Sequence, residues 1–254
     1  MKRRVIFIML LGLAVTAVGS SAEPVAVKKQ PVLVMVHGAW AGGWHMRKVA
    51  PLLEARGYTV YTPTLSGLGE RYHTATPAIG LDVHIEDIVN FILFADLHDV
   101  MLLGHSYGGM VITGVADRIP ERIARLIYLD AFLPEHGESL MHLRRTNSRP
   151  IEQMTRDGFI FPTWVKPDKP FPRDVPQPLK TFTDPIALKN PAAAKIPGTY
   201  ILTVEKGKAP EDDDFYPAAE RAKARGWPVI TMEADHVPYW RQPAETAELL
   251  LGLR

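Results

Sequence analysis

The residues of this chain best suited to chemistry are a serine, a histidine and a carboxylate that lies between them in sequence. Ser106 stands in Gly104-His105-Ser106-Tyr107-Gly108-Gly109, a Gly-x-Ser-x-Gly pattern. The apolar run 100–103 precedes it and a helical pattern over 110–118 follows. A buried strand, this pattern and a helix together predict a sharp, strained turn that lifts the serine hydroxyl clear of a sheet. Gly104 and Gly108 let strand and helix close around it. A serine is a poor nucleophile until a base takes its proton. Of nine histidines only His136, His142 and His236 follow Ser106, and the first two fall in an irregular stretch. His236 follows the last apolar strand pattern, 228–232, so it is the expected base.

Two N–H donors are needed for the oxyanion of a tetrahedral intermediate. The expected pair is Tyr107, next to the nucleophile, and Ala39, in the loop His37-Gly38-Ala39-Trp40 after the first strand. The third member of the site is an acid that orients the imidazole. Asp130 ends the apolar strand 126–129, where a lone carboxylate is costly unless something meets it. The alternatives are Glu205, Asp212, Asp213 and Asp214, after strand 198–204. There Lys206 and Lys208 flank Glu205, and the three adjacent aspartates resemble a solvated cluster leading into a helix.

These residues need a parallel sheet to bring them to one edge. Apolar, β-branched runs at 31–36, 58–63, 99–104, 124–130, 198–204 and 228–232 read as six strands. Helical patterns at 44–56, 81–95, 110–118, 215–225 and 244–253 alternate with them, so the expected class is α/β with helices on both faces. Between 135 and 197 the periodicity fails and prolines are dense, as in an inserted cap or lid. The core is then 23–134 with 198–254. Ser66-Gly67-Leu68-Gly69 begins like a dinucleotide fingerprint, but Tyr72 replaces its third glycine, and no cofactor is expected.

At 254 residues and 46% hydrophobic content the chain can bury a large core. Lys2, Arg3 and Arg4 precede an apolar run to Val18, and Ser20-Ser21-Ala22 offers a small-residue cleavage site. Residues 1–22 therefore read as a signal peptide, and the mature protein as secreted or periplasmic with no stable membrane anchor. Without that segment the formal charge turns slightly negative, so neither nucleic acid nor an anionic membrane is an expected partner. The absence of cysteine excludes a thiol nucleophile, a cysteine metal site and disulfides.

The motifs HGAWAGGW at 37–44, PTLSGLGER at 63–71, GHSYGG at 104–109, YLDAFLP at 128–134 and ADHVPYW at 234–240 resemble the α/β-hydrolases. The resemblance is to the branch that holds plant methyl esterases, hydroxynitrile lyases and bacterial pyrethroid-type esterases. It spans nearly all of the chain beyond residue 22. It implies a cap over the pocket, no cofactor, and hydrolysis of a small-molecule ester through an acyl-enzyme. Many members carry the acid after the strand that is 198–204 here; Asp130 matches instead the strand-end position used by a group of haloalkane dehalogenases. Cyanohydrin lyases have threonine at the position of Gly38 and lysine at that of Val237, so lyase chemistry is not expected. Carbon–carbon hydrolysis, perhydrolysis and a non-catalytic binding protein are the other readings. Trp40, Phe132, Phe159, Trp164 and Tyr239 suggest an apolar pocket for the acyl or alcohol group, although aromatic residues also fill cores.

Overall fold

A computed structural model describes residues 30–144 and 150–253; the segment 1–22, expected to be a signal peptide, lies outside the described residues. The chain runs β1 (Val32–Val36), a 3-10 turn (Gly43–Met46), α1 (Ala50–Glu54), β2 (Thr59–Tyr61), α2 (Leu81–Phe94), β3 (Val100–Ser106), α3 (Gly108–Arg118) and β4 (Ile123–Ala131). The insertion holds α4 (Leu140–Leu143), α5 (Ile151–Met154), β5 (Thr155–Arg156), β6 (Phe159–Ile160), β7 (Gln177–Pro178) and α6 (Lys180–Thr183). It is followed by β8 (Gly198–Val204), α7 (Tyr216–Ala224), β9 (Val229–Glu233), α8 (Pro238–Arg241) and α9 (Pro243–Leu251).

Six strands form one sheet in the order β2-β1-β3-β4-β8-β9, and every pairing within it is parallel. Both faces are buried, which explains the continuous apolar runs. In β1, Val34 and Val36 join the cluster under α2 and α3, while Leu33 and Met35 join the opposite cluster with Met46, Leu53 and Leu250. Each such side chain contributes about 1.5–3 kcal/mol when fully buried. The helix expected over 44–56 is split. Pro51 has no N–H to give and is tolerated only in a first turn, so the α-helix begins at Ala50 and a 3-10 turn precedes it.

The insertion is not wholly irregular. Its three short strands pair antiparallel in the order β5-β6-β7. These two-residue strands carry too little periodicity to be read from sequence. Among the described residues no helix is long and apolar enough to cross a membrane.

Candidate active site

Ser106 ends β3 with φ of 54°, the left-handed region that a non-glycine residue occupies only at a cost. The turn is as tight as the sequence implies. A Cβ on Gly104 would stand 2.6 Å from the Gly108 carbonyl oxygen, and one on Gly108 would stand 2.6 Å from that of Val36. Ser106 therefore sits between β3 and the N-terminus of α3, whose first N–H groups lack intrahelical partners.

Asp130 is set by a second local distortion. In the β3–β4 register His105 faces Leu129, but Ser106 faces Ala131, so Asp130 is an extra residue with φ of 46°. A bulge of this kind re-aims a side chain. Here it turns the carboxylate toward β8, where Oδ1 accepts from the Thr203 N–H at 3.0 Å. Oδ2 lies 2.6 Å from His236 Nδ1. Asp130 is 1% exposed, so it is a buried carboxylate with both oxygens engaged. The contact fixes the His236 tautomer: Nδ1–H donates to Asp130, leaving the Nε2 lone pair free. Burial works against a charge on His236. The Asp130 hydrogen bond and charge, with Asp213 and Asp235, outweigh it and raise the pKa above its ordinary value.

Other residues brace the imidazole. Phe215 stacks on it, with ring centroids 4.8 Å apart and planes 8° from parallel. His105 Nε2–H donates to the His236 carbonyl at 2.7 Å, and Tyr239 donates its hydroxyl to His105 Nδ1 at 3.0 Å. The carbonyl can only accept, which settles both donors. Burial, with the His236 charge beside it, holds the pKa of His105 well below the histidine range, so this network is neutral. Tyr239 is fully buried in the cluster under the sheet. It thus departs from the expected pocket position: its ring packs in the core and its hydroxyl supports the His236 loop.

The oxyanion donors can be followed peptide by peptide. Neither the Ala39 N–H nor the Tyr107 N–H has a hydrogen-bond partner among the described residues. His37 Nδ1–H donates to the Gly38 carbonyl at 2.8 Å, and its Nε2 accepts from Leu65 N–H at 3.1 Å. Burial lowers its pKa to about 3, so it stays neutral and keeps both bonds. The Tyr107 side chain is anchored by His84, whose Nε2–H donates to the Ser66 carbonyl and whose Nδ1 accepts from the tyrosine hydroxyl at 2.8 Å. His84 is also held neutral by burial, with a pKa of about 4.

Of the aromatic residues expected to line a pocket, Trp40 and Trp164 meet edge to face at 4.9 Å, and Trp40 also meets Phe182 at 5.5 Å. Phe132 packs on Phe215 at 4.9 Å, so it reaches His236 through that ring. Phe159 lies in the insertion's sheet, paired with Arg156 and Pro178. Trp164 is 43% exposed, donates to Asp174, and lines a cavity of about 400 Å³ with Pro150, Gln153, Met154 and Thr163.

The later acids divide. Glu205 pairs with Lys208 at the surface. Asp213 is not simply solvated, as expected of the cluster. It is half-buried and accepts from the Phe215 N–H at 2.8 Å. Its pKa is raised to about 6 by burial and then by the Asp130 charge. Sequence reasoning missed His37, His84, His105 and Phe215. Only His37 and His105 left a signal, as the neighbours of motif residues.

The structure thus brings His236 onto the buried Asp130 carboxylate and leaves the Ala39 and Tyr107 N–H groups without partners among the described residues, with Ser106 strained at the end of β3. Residues 33–249 match the alpha/beta hydrolase family. The chain is 38% identical over 240 residues to a carbendazim hydrolyzing esterase of Nocardioides sp. (strain SG-4G), covering 87% of this chain and 98% of that one. It is 28% identical over 249 residues to a pyrethroid hydrolase of Sphingobium wenxiniae, covering 86% and 85%. An extracellular alpha/beta-hydrolase from a Paenibacillus species superposes with a TM-score of 0.73 at 25% identity, over 87% of this chain and 98% of that one. With the family matched over the whole sheet and the strained serine standing at its centre, this chain belongs to the alpha/beta hydrolases.

Proposed function

We infer that the protein is a carboxylic ester hydrolase in which Ser106, His236 and Asp130 act as a triad. The contact of His236 Nδ1 with the buried Asp130 carboxylate at 2.6 Å carries this reading. Ser106 Oγ attacks the ester carbonyl carbon while His236 Nε2 takes its proton. The N–H groups of Ala39 and Tyr107 receive the oxyanion. As the intermediate collapses, His236 returns the proton to the leaving alcohol, and Ser106 keeps the acyl group. Water then gives a proton to His236 and attacks the acyl carbon, releasing the acid and restoring Ser106. The esterase names of two relatives support the reaction class.

The residues at the loop support hydrolysis over lyase chemistry. A Cβ on Gly38 would stand 2.8 Å from His105 Nδ1 and 3.1 Å from Ser106 Cβ, so a threonine there has no room. The substrate is a small ester with an apolar acyl or alcohol group. It meets Trp40, Trp164 and Phe132, and residues 135–197 act as the cap. The signal-peptide pattern of residues 1–22 supports export to the periplasm or medium. The test is Ser106→Ala with a p-nitrophenyl ester and a serine-directed phosphonate. Turnover should fall a thousandfold or more, on the order expected when one member of a catalytic unit is removed. Labelling should be lost with it. Retained turnover in a folded Ser106→Ala protein refutes the mechanism.

A further inference from the structure

The insertion reaches the site by a route other than the pocket. Trp40 follows the expected oxyanion donor Ala39 and has φ of 63°. This is a left-handed conformation that a bulky residue holds only when its surroundings fix it. All three of its polar groups are bonded to the insertion. Its N–H donates to Gln177 Oε1 at 2.7 Å, its indole N–H donates to the Ile160 carbonyl at 3.0 Å, and its carbonyl accepts from the Val175 N–H at 2.9 Å.

Gln177 is built for this position. It is fully buried, and Ile160 faces it across the β6–β7 pair. Because the Trp40 N–H can only donate, the atom facing it is the amide oxygen. The amide nitrogen then donates to Thr181 Oγ1 at 2.8 Å, and that hydroxyl donates to the Pro178 carbonyl at 2.7 Å. Every hydrogen in this chain has one direction, so the carboxamide cannot turn over. Ala39 is consequently clamped from both sides. His37 holds the Gly38 carbonyl of the preceding peptide, and Gln177 holds the N–H of the following one. With the Trp40 N–H consumed, the Ala39 N–H is the donor the loop leaves free.

We propose that Gln177 is a positioning residue of the oxyanion hole, through which the insertion sets transition-state stabilisation as well as substrate access. The proposal rests on the esterase reading above. Removing the Gln177 oxygen leaves the Trp40 N–H without its acceptor and frees the 39–40 peptide to rotate out of the left-handed conformation. The 38–39 peptide, which carries the Ala39 N–H, is then held from one side only, at the Gly38 carbonyl by His37, and the aim of that N–H loosens.

The experiment compares wild type, Gln177→Met and Ser106→Ala on p-nitrophenyl butyrate, with a trifluoromethyl ketone as the probe that forms a tetrahedral oxyanion. Gln177→Met keeps the length and loses the acceptor. Its kcat should fall roughly ten- to a hundredfold, below the loss seen when an oxyanion donor is removed outright. KM should stay within about twofold, because a donor aimed at the oxyanion acts in the transition state. The ketone should bind more weakly by the same factor as kcat/KM. A purely structural or pocket role would raise KM or lower the folded fraction and leave the ketone's affinity in step with substrate binding. An unchanged kcat in folded Gln177→Met, or a rise in KM alone, overturns the proposal. If Gln177→Met does not fold, Thr181→Val carries the test. It frees the amide nitrogen of Gln177, kcat should fall severalfold at constant KM, and an unchanged kcat overturns the proposal. Turnover by Ser106→Ala would instead refute the esterase reading, whatever Gln177 does.

Discussion

Asp130→Asn separates the buried strand-end acid from its competitors. In the native site Oδ1 accepts from the Thr203 N–H and Oδ2 accepts from His236 Nδ1–H. Asparagine offers one acceptor and one donor. If its oxygen stays on Thr203, its NH₂ faces His236 Nδ1 and forces the proton to Nε2, where it cannot serve as a base. If the amide turns over, its NH₂ opposes the buried Thr203 N–H, and an unsatisfied donor costs about 1–3 kcal/mol. In either case the imidazolium formed during reaction loses a charge-assisted hydrogen bond, roughly 1.5–3 kcal/mol. The two losses give about 2.5–6 kcal/mol, or a fall in kcat of roughly 10²–10⁴. Stability should change little, because the Thr203 bond survives in the first arrangement and a buried charge is removed. A thermal midpoint within a few degrees of wild type is expected, since about 1 kcal/mol shifts a chain of this size by roughly 2–4 °C. The assay is steady-state p-nitrophenyl ester hydrolysis with circular-dichroism melting, run beside Asp213→Asn and Glu205→Gln. Asp213→Asn should keep kcat within about threefold, because its carboxylate bonds the Phe215 N–H and not the imidazole. If Asp130→Asn retains a tenth or more of wild-type kcat while Asp213→Asn does not, the acid has been misassigned.

His236 must be neutral to act as base and its pKa is raised, so kcat/KM should climb with pH through a midpoint above the ordinary histidine value of about 6.5. His37 and His84 have folded pKa values lowered to about 3 and about 4, so their stabilisation is present above the unfolded pKa and is lost as pH falls toward those values. At pH 5 each should have lost about 2 kcal/mol, and the melting midpoint followed by circular dichroism should drop between pH 6.5 and 5 beyond the partial offset from Asp213 and His236. Trp164→Ala should change the ranking of esters of different acyl length more than it changes the melting midpoint; a uniform slowing would mean that the ring does not select substrate. Mass spectrometry of protein from the native host should find an N-terminus near Glu23, and an intact Met1 in soluble active protein would contradict export.

The parts legible in the sequence share one property: their signal is local. A strand–turn–helix context marked Ser106, a position after the last strand marked His236, and an acid closing an apolar run marked Asp130. What the sequence did not carry is the bracing, because each partner is far along the chain. Trp40 and Gln177 are 137 residues apart, and His105 meets the His236 carbonyl across 131. Glutamine in a proline-rich stretch has no periodicity to announce it, and a buried neutral histidine looks like any other until its neighbours are known. Tyr239 resembles a pocket residue in sequence for the same reason: its position beside His236 is visible there, but the direction of its side chain is not. Three adjacent acids suggest a solvated cluster, whereas the loop half-buries Asp213 and bonds it to the Phe215 N–H.

The strained residues show how these levels meet. Trp40, Ser106 and Asp130 all have positive φ and all lie on the same edge of the sheet. Among the described residues the other non-glycine positions with positive φ are Asp96, Asp99 and Asp157, a residue type that tolerates the conformation in turns. Tryptophan and serine do not, and such a residue costs of order 1–3 kcal/mol unless its surroundings over-determine it. Each strained residue here has named restraints. Ser106 is closed in by Gly104 and Gly108, Asp130 by Thr203 and His236, and Trp40 by three bonds to the insertion. Two of the three sets come from the sheet and fold with it. The third comes from a segment made of two-residue strands and four-residue helices, whose buried side chains, such as Ile160, Val175 and Phe182, join the cluster under α2 and α3. On the esterase reading, Ser106, His236 and Asp130 are therefore held by the sheet and the loops at its edge, and the Ala39 N–H in part by the insertion. Perturbing the insertion should consequently lower kcat before it lowers the melting midpoint of the sheet, an order that a cap serving only as a pocket wall would not produce.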